Sequence, residues 1–387
     1  MGDAMDLSFD EPAARYDPPA DADARLDWLR LIRSRRVGPA TFHRLMADHG
    51  TAREALAALP GIAAAAGVAD YEVCPEGVIR AEVAAARVTG ARLIARGDAD
   101  YPLSLARIAD APPVLWLRGD AGVMARPMVA LVGARNASSL GLRMARRLAE
   151  TLSAAGFTVV SGLARGIDAE AHQGALAGGT VAVLAGGVDV AYPPENTGLL
   201  AEIAAQGCVV SEAPMGCQPQ ARHFPLRNRI VSGLARAVVV VEAASRSGSL
   251  LTARAALDQG REVLAVPGHP FDARAAGCNQ LIREGATLVR SAADVVEAIG
   301  AGLRLPHDPV PAPRPPLPGP AAPRRTLADA AGLHAMILDR LGPSPLPEDQ
   351  LIRDLALPPA LLAPELLALE MEGRVHRAPG GLLSRSG

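Results

Sequence analysis

The chain has 387 residues, of which 49% are hydrophobic and 21% are charged, and its formal net charge is −2. This length allows roughly two or three domains with buried cores and excludes a small disulfide-stapled scaffold. The near-zero net charge excludes nucleic-acid binding through an overall basic field, so any site for a polyanion must be local.

The first segment, residues 1–23, is acidic and contains proline, unlike a signal peptide with a basic start and an apolar core. We expect a disordered leader there. No apolar run reaches membrane-spanning length, and the four cysteines form no C-x-x-C pair. We therefore predict a soluble, cytoplasmic protein with no disulfide framework, no metal site and no membrane association.

Residues 24–95 have a helical pattern, in which Leu29, Ile32, Phe42 and Leu45 form apolar faces. The pattern is broken at Val37-Gly38-Pro39. It predicts a small helical domain.

Residues 96–303 contain a regular alternation of apolar strands and amphipathic helices. The predicted strands are "MVALVGA", "TVVSGLA", "TVAVLAGG", "CVVSEAP", "AVVVVEA", "EVLAVPG" and "TLVRSA". Alternation of this kind predicts an α/β fold with a parallel sheet covered by helices.

A proline-rich stretch, residues 304–325, is predicted to be an extended linker. It precedes a unit, residues 326–387, with helices near His334–Leu341, Glu348–Leu355 and Ala360–Glu372 and a hairpin in "GRVHRAPGGLLSRS". Three helices and a hairpin predict a winged helix.

Loops at the ends of the predicted strands are rich in glycine, serine and arginine. They include Gly133 to Asn136, Ser161 to Gly166 and Ser245 to Ser249. Glycine lets a phosphate approach the backbone, and Arg135 and Arg165 could supply charge. This pattern favours an anion site at one sheet edge. The alternative is that such turns only allow tight connections between strands and helices.

The chain lacks the G-x-G-x-x-G dinucleotide fingerprint, and it contains no lysine for a Walker motif. The stretch "FPLRNR" instead places Phe224 beside Arg227, Asn228 and Arg229. An aromatic face and cations together suit non-specific binding of a single-stranded nucleic acid. The alternative is a core phenylalanine, with the arginines in ion pairs to Glu212 or Glu242.

Six segments resemble the bacterial DNA-processing protein A family, also called Smf, in its order and spacing. They are "VGARNASSLG", "SGLARGIDAEAHQGAL", "VAVLAGGVDVAYPPEN", "SEAPMG", "FPLRNRIVSGLARAVVVVEAASRSGSLLTARAAL" and "VPGHP". The resemblance implies an extended Rossmann-like domain with a parallel or mixed sheet and helices on both faces. It also implies an N-terminal domain of sterile-alpha-motif or helix-hairpin-helix type and a C-terminal winged helix.

This resemblance further implies a homodimeric, non-enzymatic recombination mediator without a cofactor. Such a protein binds and protects single-stranded DNA and loads the recombinase RecA during natural transformation, on strands coated by single-strand-binding protein. The implied DNA contacts are Arg135, Ser161, Gly162, Phe224, Arg227, Asn228, Arg229, Ser247, Gly248 and Ser249. Asn136 departs from the family pattern, which often has lysine there.

The third helix of the winged-helix unit contains Glu365, Glu370 and Glu372 and no arginine. Such a helix is a poor reader of the major groove. We therefore expect this domain to bind protein or to modulate dimers, with weak backbone contacts from Arg374, Arg377 and Arg385.

Two other functions stay open at this point. The sheet also resembles nucleotide-processing phosphoribohydrolases of the lysine-decarboxylase-like group, but "SGSLLTARAAL" lacks their glutamate. Asp168, Glu170 and His172 could suggest acid-base or metal chemistry, although their spacing on one helix favours a structural role for Asp168. The third alternative is a scaffold that recruits proteins and binds DNA poorly.

Overall fold

A computed structural model describes residues 16–300, 327–378 and 382–385. Most of the predicted leader and the whole of the predicted linker lie outside these residues. Among the described residues, no helix is both long enough and apolar enough to cross a bilayer.

The N-terminal part is helical, as predicted. Its helices are α1 (Ala22–Arg33), α2 (Pro39–His49), α3 (Ala52–Ala65) and α4 (Glu76–Val88). Asp21 caps α1 through its side chain. The break in the helical pattern predicted at Val37-Gly38-Pro39 is confirmed, because α2 begins at Pro39, a position where a helix needs no N–H group.

Glu82 of α4 links the helical part to the sheet through its side-chain contacts. Its buried carboxylate accepts a hydrogen bond of 2.6 Å from Trp116 Nε1 and pairs with Arg33 at 2.8 Å. Trp116 and Trp28 belong to one continuous hydrophobic core. The helical part therefore packs against the sheet.

The central part contains nine strands and eight α-helices among the described residues. In chain order they are β1 (Arg92–Ala95), α5 (Leu103–Ala106), β2 (Val114–Gly119), β3 (Met128–Val132), α6 (Ser139–Ala154), β4 (Thr158–Ser161), α7 (Ile167–Ala175), β5 (Thr180–Val183), α8 (Thr197–Gln206), β6 (Cys208–Ser211), α9 (His223–Leu234), β7 (Ala237–Val240), α10 (Ser249–Asp258), β8 (Glu262–Ala265), α11 (Ala276–Arg283), β9 (Thr287–Leu288) and α12 (Ala292–Ala298).

All the strands join one sheet in the order β1-β2-β6-β5-β4-β3-β7-β8-β9. Strands β3 to β9 pair in parallel, whereas β1 and β2 add an antiparallel edge beside β6. The predicted α/β class with a mixed sheet is confirmed. One difference is that β1, placed in the helical domain by the sequence pattern, pairs with β2 and so belongs to the sheet.

Successive residues of the central strands face opposite sides of the sheet. Ala130 and Val132 pack with helices α9 and α10, whereas Val129 and Leu131 pack with α6 and α7. Helices therefore cover both faces. The strand order reverses between β3 and β7, which leaves a crevice at their carboxyl ends, where open α/β sheets bind ligands.

The C-terminal part is a winged helix. Its elements are α13 (Leu327–Arg340), β10 (Leu346–Pro347), α14 (Glu348–Leu355), α15 (Pro359–Met371), β11 (Val375–Ala378) and β12 (Leu382–Arg385). The three strands pair in the order β10-β12-β11 around a separate leucine-rich core. The predicted helices and hairpin are confirmed, with α13 beginning earlier than predicted.

Candidate nucleic-acid interface

A cleft of about 1020 Å³ opens where the strand order reverses. The loop after β3, the loop after β7 and the start of α9 form most of its wall. The predicted residues that line it are Arg135, Phe224, Arg227, Asn228, Ser247, Gly248 and Ser249. Seven residues scattered over the sequence thus meet because β3 and β7 are neighbours.

An aromatic and cationic cluster forms one side of the cleft. The guanidinium carbon of Arg135 lies 5.1 Å from the centroid of the Phe224 ring. The Tyr192 ring also contacts Phe224, with ring centroids 5.8 Å apart and ring planes 54° apart. Phe224 is half-buried and Tyr192 is 44% exposed, so this cluster offers accessible ring surface.

Arg227 is a buried cation in the wall of the cleft. Burial lowers the pKa of its guanidinium, the nearby Asp168 carboxylate opposes this effect, and Arg135 adds to it. A guanidinium nevertheless stays protonated in proteins. Its Nε has no hydrogen-bond partner among the described residues. Arg227 therefore adds fixed positive charge to the cleft.

Asp168 holds the loop beneath this arginine. Its Oδ2 accepts hydrogen bonds from the backbone N–H groups of Gly162 (3.1 Å) and Ala164 (3.4 Å). Burial raises the pKa of the carboxyl group, which the charge of Arg227 and these hydrogen bonds oppose. Asp168 therefore has a structural role, which is to hold the loop after β4 through these hydrogen bonds.

The start of α10 forms another part of the cleft wall. Ser247 Oγ and Ser249 Oγ lie 2.7 Å apart, and Gly248 occupies the N-cap position. The first N–H groups of a helix carry partial positive charge and suit a phosphate. Arg246, beside them, is exposed and lines the same cleft.

Four predicted contact residues lie outside the cleft wall. Ser161 is fully buried and donates its hydroxyl to the Leu131 carbonyl. Gly162 lies under Arg227, and Arg165 forms an ion pair with Glu195 at the surface.

Arg229 is the fourth of these residues. It donates to the Asp110 carbonyl at 2.7 Å and to Glu212 at 2.5 Å. The alternative interpretation, an ion pair with Glu212, therefore describes Arg229. Residues two apart on a helix point in nearly opposite directions, so Arg227 and Arg229 cannot both face the cleft.

Three other cleft residues were absent from the predicted contacts, namely Tyr192, Arg246 and Arg274. A signal existed for two of them. Tyr192 is one of 4 tyrosines in the chain, and it falls in a family segment. Arg246 lies within the predicted loop after β7. Arg274 carried no such signal, because only the folded chain brings it to the cleft. Arg385 was predicted to make a weak backbone contact from the wing, but its position in this cleft depends on the folded chain.

The residues considered for acid-base or metal chemistry separate in the fold. Glu170 pairs with Arg146 at 2.7 Å, and His172 Nδ1 lies 2.8 Å from Thr180 Oγ1. No group of three potential metal ligands occurs within the described part of the chain.

Family models match all three parts of the chain. The model described as DNA recombination-mediator protein A matches residues 92–300, a DprA-like N-terminal HHH domain matches residues 22–85, and a DprA winged helix domain matches residues 319–381.

Individual relatives agree with these matches. Protein Smf of Escherichia coli is 38% identical over 289 residues, covering 73% of this chain and 74% of that protein. DNA processing protein DprA of Streptococcus pneumoniae is 44% identical over 201 residues, covering 51% and 71%. The matched region spans 53% of the Synechocystis protein Smf, about half of its length.

Two solved structures resemble the fold. DprA of Streptococcus pneumoniae gives a TM-score of 0.53 at 34% identity, covering 67% of this chain and 98% of that one. A Helicobacter pylori DNA processing protein A, solved to study its single-stranded DNA binding mode, gives 0.51 at 26% identity, covering 55% and 97%. Because the first family model spans more than half of the chain, the chain belongs to the DNA recombination-mediator protein A family.

Proposed function

We propose that the protein binds single-stranded DNA in the cleft between β3 and β7. The observation that carries this proposal is the cluster of Arg135, Phe224 and Tyr192 beside the buried cation Arg227. A base can stack on the exposed ring surface, while the arginines and the start of α10 hold phosphates. Stacking contributes about 1–3 kcal/mol per base and tolerates any sequence.

The expected preference is for single strands over duplex. Bases in a duplex are stacked on one another, so a ring inside a cleft cannot reach their faces without unstacking them. The cleft also presents no helix shaped to read a duplex groove, since its cations lie on loops, at the start of α9 and at the end of β12. Recognition here is therefore of backbone charge and base surface.

The wider role that we propose is that of a non-enzymatic recombination mediator in the cytoplasm. It would protect incoming single strands and load RecA onto them during natural transformation, working as a homodimer with single-strand-binding protein as a further partner. Family membership and the single-stranded DNA binding of the similar Helicobacter pylori protein support this role. No cofactor enters the proposal.

A catalytic role has less support, because hydrolysis of a glycosidic bond requires a carboxylate directed at the substrate. Asp168 lines the cleft, but its Oδ2 is held by two backbone N–H groups. Incubation with nucleoside monophosphates, with release of free base as the readout, tests the phosphoribohydrolase alternative directly.

Fluorescence anisotropy with labelled oligo-dT and matched duplex tests the proposal. Phe224→Ala should weaken single-strand binding by about tenfold or more, as loss of one stacked base implies. Phe271→Ala is the matched control, because Phe271 is 89% exposed and lies outside the cleft wall. Equal affinities of both variants and the parent protein would place DNA elsewhere.

A further inference from the structure

The cleft extends beyond the sheet domain. Arg385, the last residue of β12 in the winged helix, lines it together with Asp339 at the end of α13 and Arg274 from the sheet domain. The cluster of Arg135 and Phe224 therefore shares one cleft with part of the wing.

Specific hydrogen bonds hold the winged helix in this position. Arg274 donates to the carbonyl oxygens of Asp339 (2.6 Å) and Leu341 (2.9 Å). Arg340 donates to the carbonyl oxygen of Ala137 at 3.0 Å, and Ala137 lies close to Arg135 in the chain. At a second point, Arg143 pairs with Asp354 of α14 at 3.4 Å.

These contacts change the electrostatics at the end of α13. The last carbonyl groups of a helix carry partial negative charge and would repel a phosphate. Arg274 and Arg385 donate to the carbonyls of Asp339, Leu341 and Leu338, the last at 3.3 Å. The end of the helix thus presents guanidinium groups to the cleft.

Arg385 differs from the other arginines around the wing. Arg377 pairs with Glu348 and Glu370, and Arg374 pairs with Glu372. Arg385 is exposed, and no carboxylate of the described residues pairs with it. Its charge is therefore available to a ligand in the cleft.

We propose that Arg385 binds a DNA phosphate, so that a single strand bound at Phe224 continues onto the wing. This inference rests on the proposed function of the cleft. It gives the winged helix a direct part in DNA binding through Arg385 alone, whereas the sequence predicted weak backbone contacts from Arg374, Arg377 and Arg385 together. The wing, rather than α15, makes the contact.

The test compares two oligo-dT lengths by anisotropy across a salt series. With an oligonucleotide of about 20 nucleotides, Arg385→Ala should reduce the slope of log K against log salt by about 0.7, or about fivefold in affinity near 0.1 M salt. With one of about 5 nucleotides, which occupies only the site at Phe224, the variant should match the parent. Arg385→Lys should restore most of the loss.

Two further variants serve as a control and as an independent test of the same contact. Arg374→Ala, on the same wing but ion-paired, should leave both affinities unchanged. Asp339→Asn removes an acid from the cleft wall and should tighten binding of the longer strand. Circular dichroism and thermal unfolding show whether each variant is folded.

The outcomes separate the two proposals. If Phe224→Ala weakens binding but Arg385→Ala and Asp339→Asn behave like the parent with the longer strand, the wing does not contact DNA and this inference is overturned. If Phe224→Ala has no effect, the cleft itself is not the site.

Discussion

The backbone of Gly162 and the guanidinium of Arg227 occupy adjoining space: a β-carbon at Gly162 would lie 1.3 Å from Nη1 of Arg227. Gly162→Ala should therefore displace Arg227 and destabilise the fold by about 1–3 kcal/mol, as overpacking does. Its affinity for oligo-dT should also fall. Urea unfolding and anisotropy measure the two effects.

Gly198→Ala is the control for this substitution, because a β-carbon there meets nothing within 4 Å. It lies on α8, where alanine favours helix. A Gly162→Ala protein as stable and as tight-binding as Gly198→Ala would contradict the role given to Arg227.

Arg135 and Arg165 were both predicted from the sequence as sources of charge, and the structure distinguishes them. Arg135 faces the cleft, whereas Arg165 pairs with Glu195 outside its wall. Arg135→Ala should reduce the salt slope of oligo-dT binding by about 0.7 or more, and Arg165→Ala should leave it unchanged. Equal losses in the two variants would show that the strand takes another path.

His172 makes stability depend on pH. Burial, with a smaller contribution from the charge of Arg227, lowers the pKa of its imidazole to about 3. The unfolded chain, with a histidine pKa of about 6.5, binds the proton more readily, so this contribution to stability is complete above about pH 6.5 and is lost as pH falls toward 3. The loss approaches about 1.4 kcal/mol per pH unit.

The matched variant is His172→Asn, whose amide can donate to Thr180 Oγ1 because the Thr180 hydroxyl itself donates to the Val159 carbonyl. Urea unfolding of both proteins between about pH 7.5 and 5 isolates the effect of His172. Burial raises the pKa of Asp168, Glu212 and Glu242 in both proteins, so their opposite effect cancels in the difference. Parallel stability curves would contradict the prediction.

Glu82 joins the helical part to the sheet and should matter for stability rather than for DNA binding. Glu82→Ala leaves Arg33 and the Trp116 N–H without their shared partner, and breaking such a buried pair costs about 3–5 kcal/mol. Thermal unfolding should show the loss. Glu76→Ala, at an exposed ion pair, should be nearly neutral.

Much of the fold was predictable because its strands are short, apolar and rich in β-branched residues. The segments "MVALVGA" and "AVVVVEA" contain β3 and β7 as predicted. The pairing of β3 with β7 was not predictable from periodicity, because strand order depends on tertiary packing. That pairing is what brings Arg135 and Ser247 to one cleft.

The candidate site was predicted in part for similar reasons. Phe224 and Arg227 were identified from residue type, but the direction of each side chain depends on its element. Because α9 begins at His223, Arg229 points away toward Glu212. Ser161 ends β4 with its hydroxyl turned into the sheet. Residue type alone could not show either orientation.

Ultraviolet cross-linking of oligo-dT to the intact protein, followed by peptide mass spectrometry, tests the central claim most directly. Thymine stacked in the cleft should cross-link to the peptides that carry Phe224 or Tyr192, and Phe224→Ala should remove the cross-link at position 224 and weaken that at Tyr192. Cross-links confined to other peptides, with the same yield in Phe224→Ala, would contradict the assignment of the cleft as the DNA site.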